Sequence, residues 1–136
     1  MTLIRSLLAA MVLMAAAPAF AGPAEEIHAV IDDQIEAFRA DDGDRAFSHA
    51  SPGIQSKFRT PENFMEMVRT GYPQVYRPKV YEYQALEERG GLTIQEVFFF
   101  GEDGSAVVAR YFMERNGDGV WKITGVDLRQ APELSV

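Results

Sequence analysis

Between Lys79 and Arg129 the chain alternates runs of strand-forming residues with turn residues that permit little except tight reversal. The runs are Lys79–Glu88, Leu92–Phe100, Ala106–Arg115 and Val120–Leu128. They are separated by Gly90-Gly91, Glu102-Asp103-Gly104 and Asn116-Gly117-Asp118-Gly119. Gly, Asn and Asp tolerate the positive φ that short hairpins require. Turns this short make consecutive strands antiparallel neighbours. The second half of the chain is therefore expected to be a four-stranded meander, and everything before it must pack on that sheet.

Alternation assigns each side chain to a face. In the third run Val107, Ala109, Tyr111 and Met113 share one face, and Val108, Arg110, Phe112 and Glu114 the other. In the fourth, uninterrupted alternation groups Trp121 and Ile123 with Gly125 and Asp127. The second run is apolar on both faces apart from Gln95 and Glu96, so both faces are expected to be covered. Helices supply one cover; the curl of the sheet or a second subunit supplies the other. Gly125 inside a strand signals a bulge or a strong bend.

Residues Ala24–Asp42 carry a helical pattern, with Ile27, Val30, Ile31, Ile35 and Phe38 at spacings of three and four. Glu25 and Glu26 suit its first turn, and Gly43 reads as its stop. Gln34 interrupts the apolar stripe, seven residues after Ile27 and four before Phe38. An amide there either bonds a strand end or water, or lines a cavity. Asp44 is the expected cap of a short helix through Ala50. Ser51-Pro52 and Thr60-Pro61 each read as a cap followed by a first-turn proline, opening helices that run to Phe58 and Gly71. Tyr72-Pro73 and Arg77-Pro78 predict an extended crossing into the sheet.

The first 21 residues have the layout of a secretory signal peptide. Arg5 precedes an apolar run, Leu7 to Ala17, and Ala19-Phe20-Ala21 offers a small-x-small cleavage site before Gly22. The alternative is a membrane anchor, for which the run is short. Cleavage near Ala21/Gly22 implies a periplasmic or secreted protein with no stable membrane insertion, and a single domain over residues 22–136. Arg5 is the only charge in the removed segment, so the net charge goes from −7 to −8. A surface that acidic argues against nucleic acid as a partner. The chain has no cysteine, which excludes disulfides.

Helices followed by a curved antiparallel meander define an α+β domain with its helices on one face of the sheet. The layout resembles the nuclear transport factor 2-like cone. The details are similar to a family of exported bacterial proteins of unknown function within that class. The residues carrying this are Gln34-Ile35-Glu36-Ala37-Phe38, Ala46-Phe47, Ala50-Ser51-Pro52-Gly53-Ile54-Gln55, Phe58, Thr60-Pro61, Phe64-Met65, Met67-Val68, Tyr72, Val75-Tyr76-Arg77-Pro78 and Asp118-Gly119-Val120-Trp121-Lys122-Ile123. The resemblance brings no assigned catalytic residues. It implies pairing of two copies through the sheet, as in many cone-fold proteins. It also implies a place to look for chemistry, since cone-fold isomerases and dehydratases keep an Asp or His base inside the cavity.

The candidates for such chemistry are Asp127, Glu96 and Tyr111. Desolvation at the end of the last strand would raise the pKa of Asp127 and make it a base; in water it would be an ordinary strand-end acid. Glu96 is either an outward charge or a cavity acid. Arg110, between Val108 and Phe112, would lay its stem over them, pair with Glu96 across the ladder, or grip an anion. Tyr72, Tyr76 and Arg77 would cap a flat ligand or pack a corner of the domain. His28 and His49 are the only histidines, and their surroundings contain no metal-ligand spacing, so neither metal nor cofactor is expected. His49 with Ser51 and some aspartate could be assembled into a nucleophilic triad, but no elbow motif surrounds the serine. Gln34, Arg110, Tyr111, Tyr72, Tyr76 and Arg77 are thus the candidate ligand-binding set. The preferred reading is a non-catalytic module for a small apolar or amphipathic ligand, or for a protein. The alternative is a small lyase or isomerase using Asp127 or Glu96 with Tyr111.

Overall fold

A computed structural model describes residues 22–132. The expected signal peptide falls on residues 1–21 and lies outside the described residues. Among the described residues no helix is long and apolar enough to cross a membrane.

The helices come first: α1 (Pro23–Arg39), α2 (Gly43–Ser48), α3 (Pro52–Phe58), α4 (Pro61–Gly71) and the single turn α5 (Pro73–Tyr76). The strands follow: β1 (Pro78–Arg89), β2 (Leu92–Gly101), β3 (Ala106–Arg115) and β4 (Trp121–Gln130). They form one antiparallel sheet in the order β1-β2-β3-β4. The β1–β2 hairpin closes through Gly90 and Gly91, whose φ of 57° and 81° are the left-handed values a two-residue turn demands.

Three details of the helical half differ from the sequence expectation. The cap of α2 is Asp42, whose carboxylate accepts from Arg45 N at 3.2 Å, and not Asp44. Asp41 ends the preceding turn at φ 51°, so α1 stops at Arg39 and Gly43 opens α2 instead of closing α1. Gly43 is there for packing: a Cβ would lie 3.1 Å from Met65 Cγ. The third difference is α5. Pro73 sits in the first turn of a short helix, so the Tyr72–Pro78 crossing is not extended throughout.

The core lies between α1 and the inner face of the sheet. Ile27, Ile31, Ile35 and Phe38 are buried there with Val97, Phe99, Ala109, Tyr111 and Met113. Removing such apolar surface from water contributes roughly 25 cal/mol per Å². Asp32 ties the edge strand β1 to α1 by accepting from Tyr81 at 2.8 Å and Tyr83 at 2.6 Å. Burial, then the Asp32 carboxylate, pushes the Tyr81 phenol up to about 12 and Tyr83 higher still, so both remain donors. His28 stacks on Tyr83 with ring centres 3.7 Å apart, and its Nε2 meets the Oε1 of fully buried Gln95 at 3.0 Å.

Three strand irregularities bend the sheet. β1 carries an extra residue between Pro78 and Val80 and another between Tyr83 and Leu86, and β4 carries one at Thr124. The one in β4 has the largest consequence. Met113 faces Ile123, but Phe112 faces Gly125, so Thr124 has no opposite number. Beyond it the alternation is inverted: Val126 and Leu128 join the inner face opposite Tyr111 and Ala109, and Asp127 turns outward opposite Arg110. Segment 49–51 covers the β4 edge at this point. Ser51 N donates to Ile123 O at 2.9 Å, and Ile123 N donates to His49 O at 2.8 Å.

Asp33 joins α1 to α2. It accepts from Arg45 Nε at 3.1 Å and meets His49 Nε2 at 2.5 Å. The hydrogen bonds from Arg45 and then His49 hold its carboxyl down at about 2, against an ordinary 3.8. A depressed folded-state pKa gives stability that is present above pH 4 and is lost as pH falls toward 2. Urea unfolding of Asp33→Asn is therefore expected to show a shallower loss of stability between pH 4 and pH 2 than the parent chain. Equal slopes would contradict this assignment.

Candidate functional site

A cavity of about 400 Å³ opens between the helices and the β3–β4 end of the sheet. That is within the usual size range for small-molecule pockets. Its helical walls include Phe38 of α1, Ile54 and Phe58 of α3, and Phe64 and Val68 of α4. Its sheet wall is Tyr111 of β3 with Ile123, Gly125 and Val126 of β4. The Thr124 bulge builds this wall by placing Val126 inward.

The polar groups of the cavity are few. Gln34 is 3% exposed, and its Nε2 donates to Ala46 O at 3.1 Å. The amide is anchored on a carbonyl of α2, and not on the strand end or water of the first reading, and it also lines the cavity. Tyr72 lines the pocket and donates its hydroxyl to Val126 O at 2.9 Å, fixing α4 to β4. Thr124 Oγ1 accepts from Ser51 Oγ at 3.3 Å. Tyr111 is fully buried, and its hydroxyl has no hydrogen-bond partner among the described residues. Burial holds this phenol well above its ordinary value, so it stays protonated and able to donate. Leaving such a group unpaired costs about 1–3 kcal/mol.

Asp127, Glu96 and Arg110 do not belong to this pocket. The bulge at Thr124 inverts the face assignment on which the cavity role of Asp127 rested. Arg110 stands between Glu96 on β2 and Asp127 on β4 on the outer face. Its guanidinium grips Asp127, with Nε 2.9 Å from Oδ1 and a second bond from the terminal nitrogen. That bidentate bond lowers the Asp127 pKa, the opposite of what a desolvated base needs. The Arg110 guanidinium carbon also lies 5.4 Å from the centre of the Phe112 ring, and its charged partner is Asp127 and not the Glu96 foreseen across the ladder.

Tyr76 and Arg77 are also outside the pocket. Tyr76 donates to the Asp41 carboxylate, and the Arg77 guanidinium lies 4.1 Å from the Tyr76 ring and 3.1 Å from Asp41 Oδ2. They pack a corner where α1, α4 and α5 meet, the second of the two roles foreseen. The hypothetical triad is not assembled either: Ser51 Oγ bonds Thr124 and caps Ile54 N, while His49 Nε2 turns to Asp33. Among the described residues, no three His, Asp or Glu side chains are grouped so as to hold a metal ion.

Of the lining, sequence reasoning named only Gln34, Tyr72 and Tyr111 as site residues; the polar or bulge-dependent ones it missed include Lys57, Thr124 and Val126. Gly125 was the available signal for the last two, because a bulge there resets the alternation of everything after it. Lys57 gave no signal, since an exposed lysine on a short helix is ordinary.

A helical layer on a four-stranded antiparallel sheet is the architecture this chain shares with NTF-2 like proteins. One solved structure, an NTF-2 like protein of unknown function from Shewanella oneidensis MR-1, is similar with a TM-score of 0.54 at 14% identity. The match covers 79% of this chain and 98% of that one. Another, from Burkholderia xenovorans LB400 and likewise an NTF-2 like protein of unknown function, has a TM-score of 0.49 at 18% identity, covering 83% and 88%. Residues 21–136 match the family described as Domain of unknown function (DUF4864), and the chain belongs to it. No curated protein matches.

Proposed function

We propose that this domain binds one small, largely apolar molecule in the cavity between α1, α3, α4 and β4. The observation that carries the reading is the Tyr111 hydroxyl. It is fully buried and has no partner among the described residues, and Tyr111 is one of the residues lining the pocket. A bound ligand with one hydrogen-bonding atom would satisfy it. Gln34, held by Ala46, would set the orientation of that atom, and the aromatic walls would supply most of the affinity. The alternative of acid–base catalysis loses its acids, because Asp127 and Glu96 face away from Tyr111. Among the described residues, no Asp or Glu lines the pocket.

Titrating the ¹⁵N-labelled chain with decan-1-ol tests this reading. Amide shifts are expected to concentrate at Gln34, Thr124, Gly125 and Val126. Shifts clustered instead on the outer face, around Phe98 and Phe112, would refute it, as would none up to the aqueous solubility limit of the alcohol.

A further inference from the structure

The geometry points to an amphipathic monoanion as the occupant, with its carboxylate at Lys57, its apolar body running inward and a second hydrogen-bonding atom at its inner end for the Tyr111 hydroxyl. This rests on the pocket reading above and adds the chemical class. Among the described residues Lys57 is the single charged side chain lining the cavity. The chain has 20 acidic residues against 13 basic ones, yet no acid among the described residues reaches the pocket wall. A random patch of this surface would carry more acid than base, so one unopposed cation on an apolar wall gives the opening a sign opposite to that of the protein.

Position adds to composition. Lys57 is exposed, whereas Gln34 and Tyr111 are buried, so the charge marks the open end and the phenol the closed end. Lys57 Nζ lies 5.6 Å from the centre of the Phe58 ring, itself part of the pocket wall. The ammonium is thus held over the rim with its stem along apolar surface. Lys57 forms no ion pair among the described residues, while Arg45, Arg77, Arg110 and Arg115 each have a carboxylate partner. An entering carboxylate would therefore displace no existing salt bridge. An ammonium head would meet Lys57 with like charge and no acid to offset it.

Isothermal titration of the full chain with decanoate, decan-1-ol and decylamine at pH 7 separates the possibilities, since the three probes differ only in the head. Decanoate is expected to bind about fivefold more tightly than the alcohol, as suits a half-solvated charge pair, and decylamine more weakly than either. The decanoate preference should fall as salt rises. In Lys57→Met and Lys57→Gln the ratio of decanoate to alcohol affinity should drop to about one. Equal binding of all three heads, or an acid preference that survives both substitutions, overturns this assignment and leaves the pocket reading standing. Binding of none of the three overturns both.

Discussion

Deletion of Thr124 is expected to abolish the native fold. The deletion restores uninterrupted alternation to β4, and a one-residue slip turns each following side chain to the other face. Val126 and Leu128 would leave the inner face, and Asp127 would enter it without Arg110, its present partner. Burying a charge stripped of its partner costs about 3–5 kcal/mol. A domain of this size has about 5–15 kcal/mol of stability in total. The Tyr72 anchor on Val126 O and the pocket wall would be lost at the same step. Circular dichroism is expected to show no cooperative thermal transition, or a midpoint lowered by well over 10 °C. Thr124→Ala keeps the residue count and loses only the 3.3 Å bond from Ser51, so it should cost no more than about 1 kcal/mol. A deletion variant that melted with the parent chain would show that the bulge does not set the faces of β4.

Replacing Tyr111 by Phe is expected to move stability and binding in opposite directions. Core substitutions usually destabilise. Here the ring and its packing against Phe99 remain, and only a hydroxyl without a partner is removed. Relief of that desolvation should stabilise the ligand-free chain by about 1 kcal/mol, or raise its melting temperature by about 4 °C. The same substitution removes a hydrogen bond from the complex and should weaken binding of a hydroxyl-bearing ligand about tenfold. A Tyr111→Phe chain that is clearly less stable than the parent would mean the hydroxyl already has a structural partner, and the central argument for the pocket would fail. Natural proteins keep destabilising groups of this kind where function requires them.

The sequence made the sheet legible because its turns are chemically explicit. Gly90-Gly91, Gly104 and Asn116 to Gly119 leave a short list of ways to fold, and all three hairpins formed where those residues stand. The α1 face was legible for a similar reason, since its periodicity runs unbroken except at Gln34, and that exception marked the pocket. Two features were not legible. The face of Asp127 depends on how many residues β4 inserts before it, and alternation counts correctly only up to the first bulge. The Asp33 link to Arg45 and His49 depends on the angle between α1 and α2, which no local pattern encodes. Lys57 falls under the same limit: its place on the pocket wall depends on what lies opposite α3, including Val126 and Tyr111.

Native mass spectrometry of the chain, purified from its own host without detergent, tests the central claim most directly. The account predicts one small molecule retained by the parent protein and a smaller retained fraction in Tyr111→Phe. The bare chain mass in both proteins, with Tyr111→Phe no more stable than the parent, would contradict it.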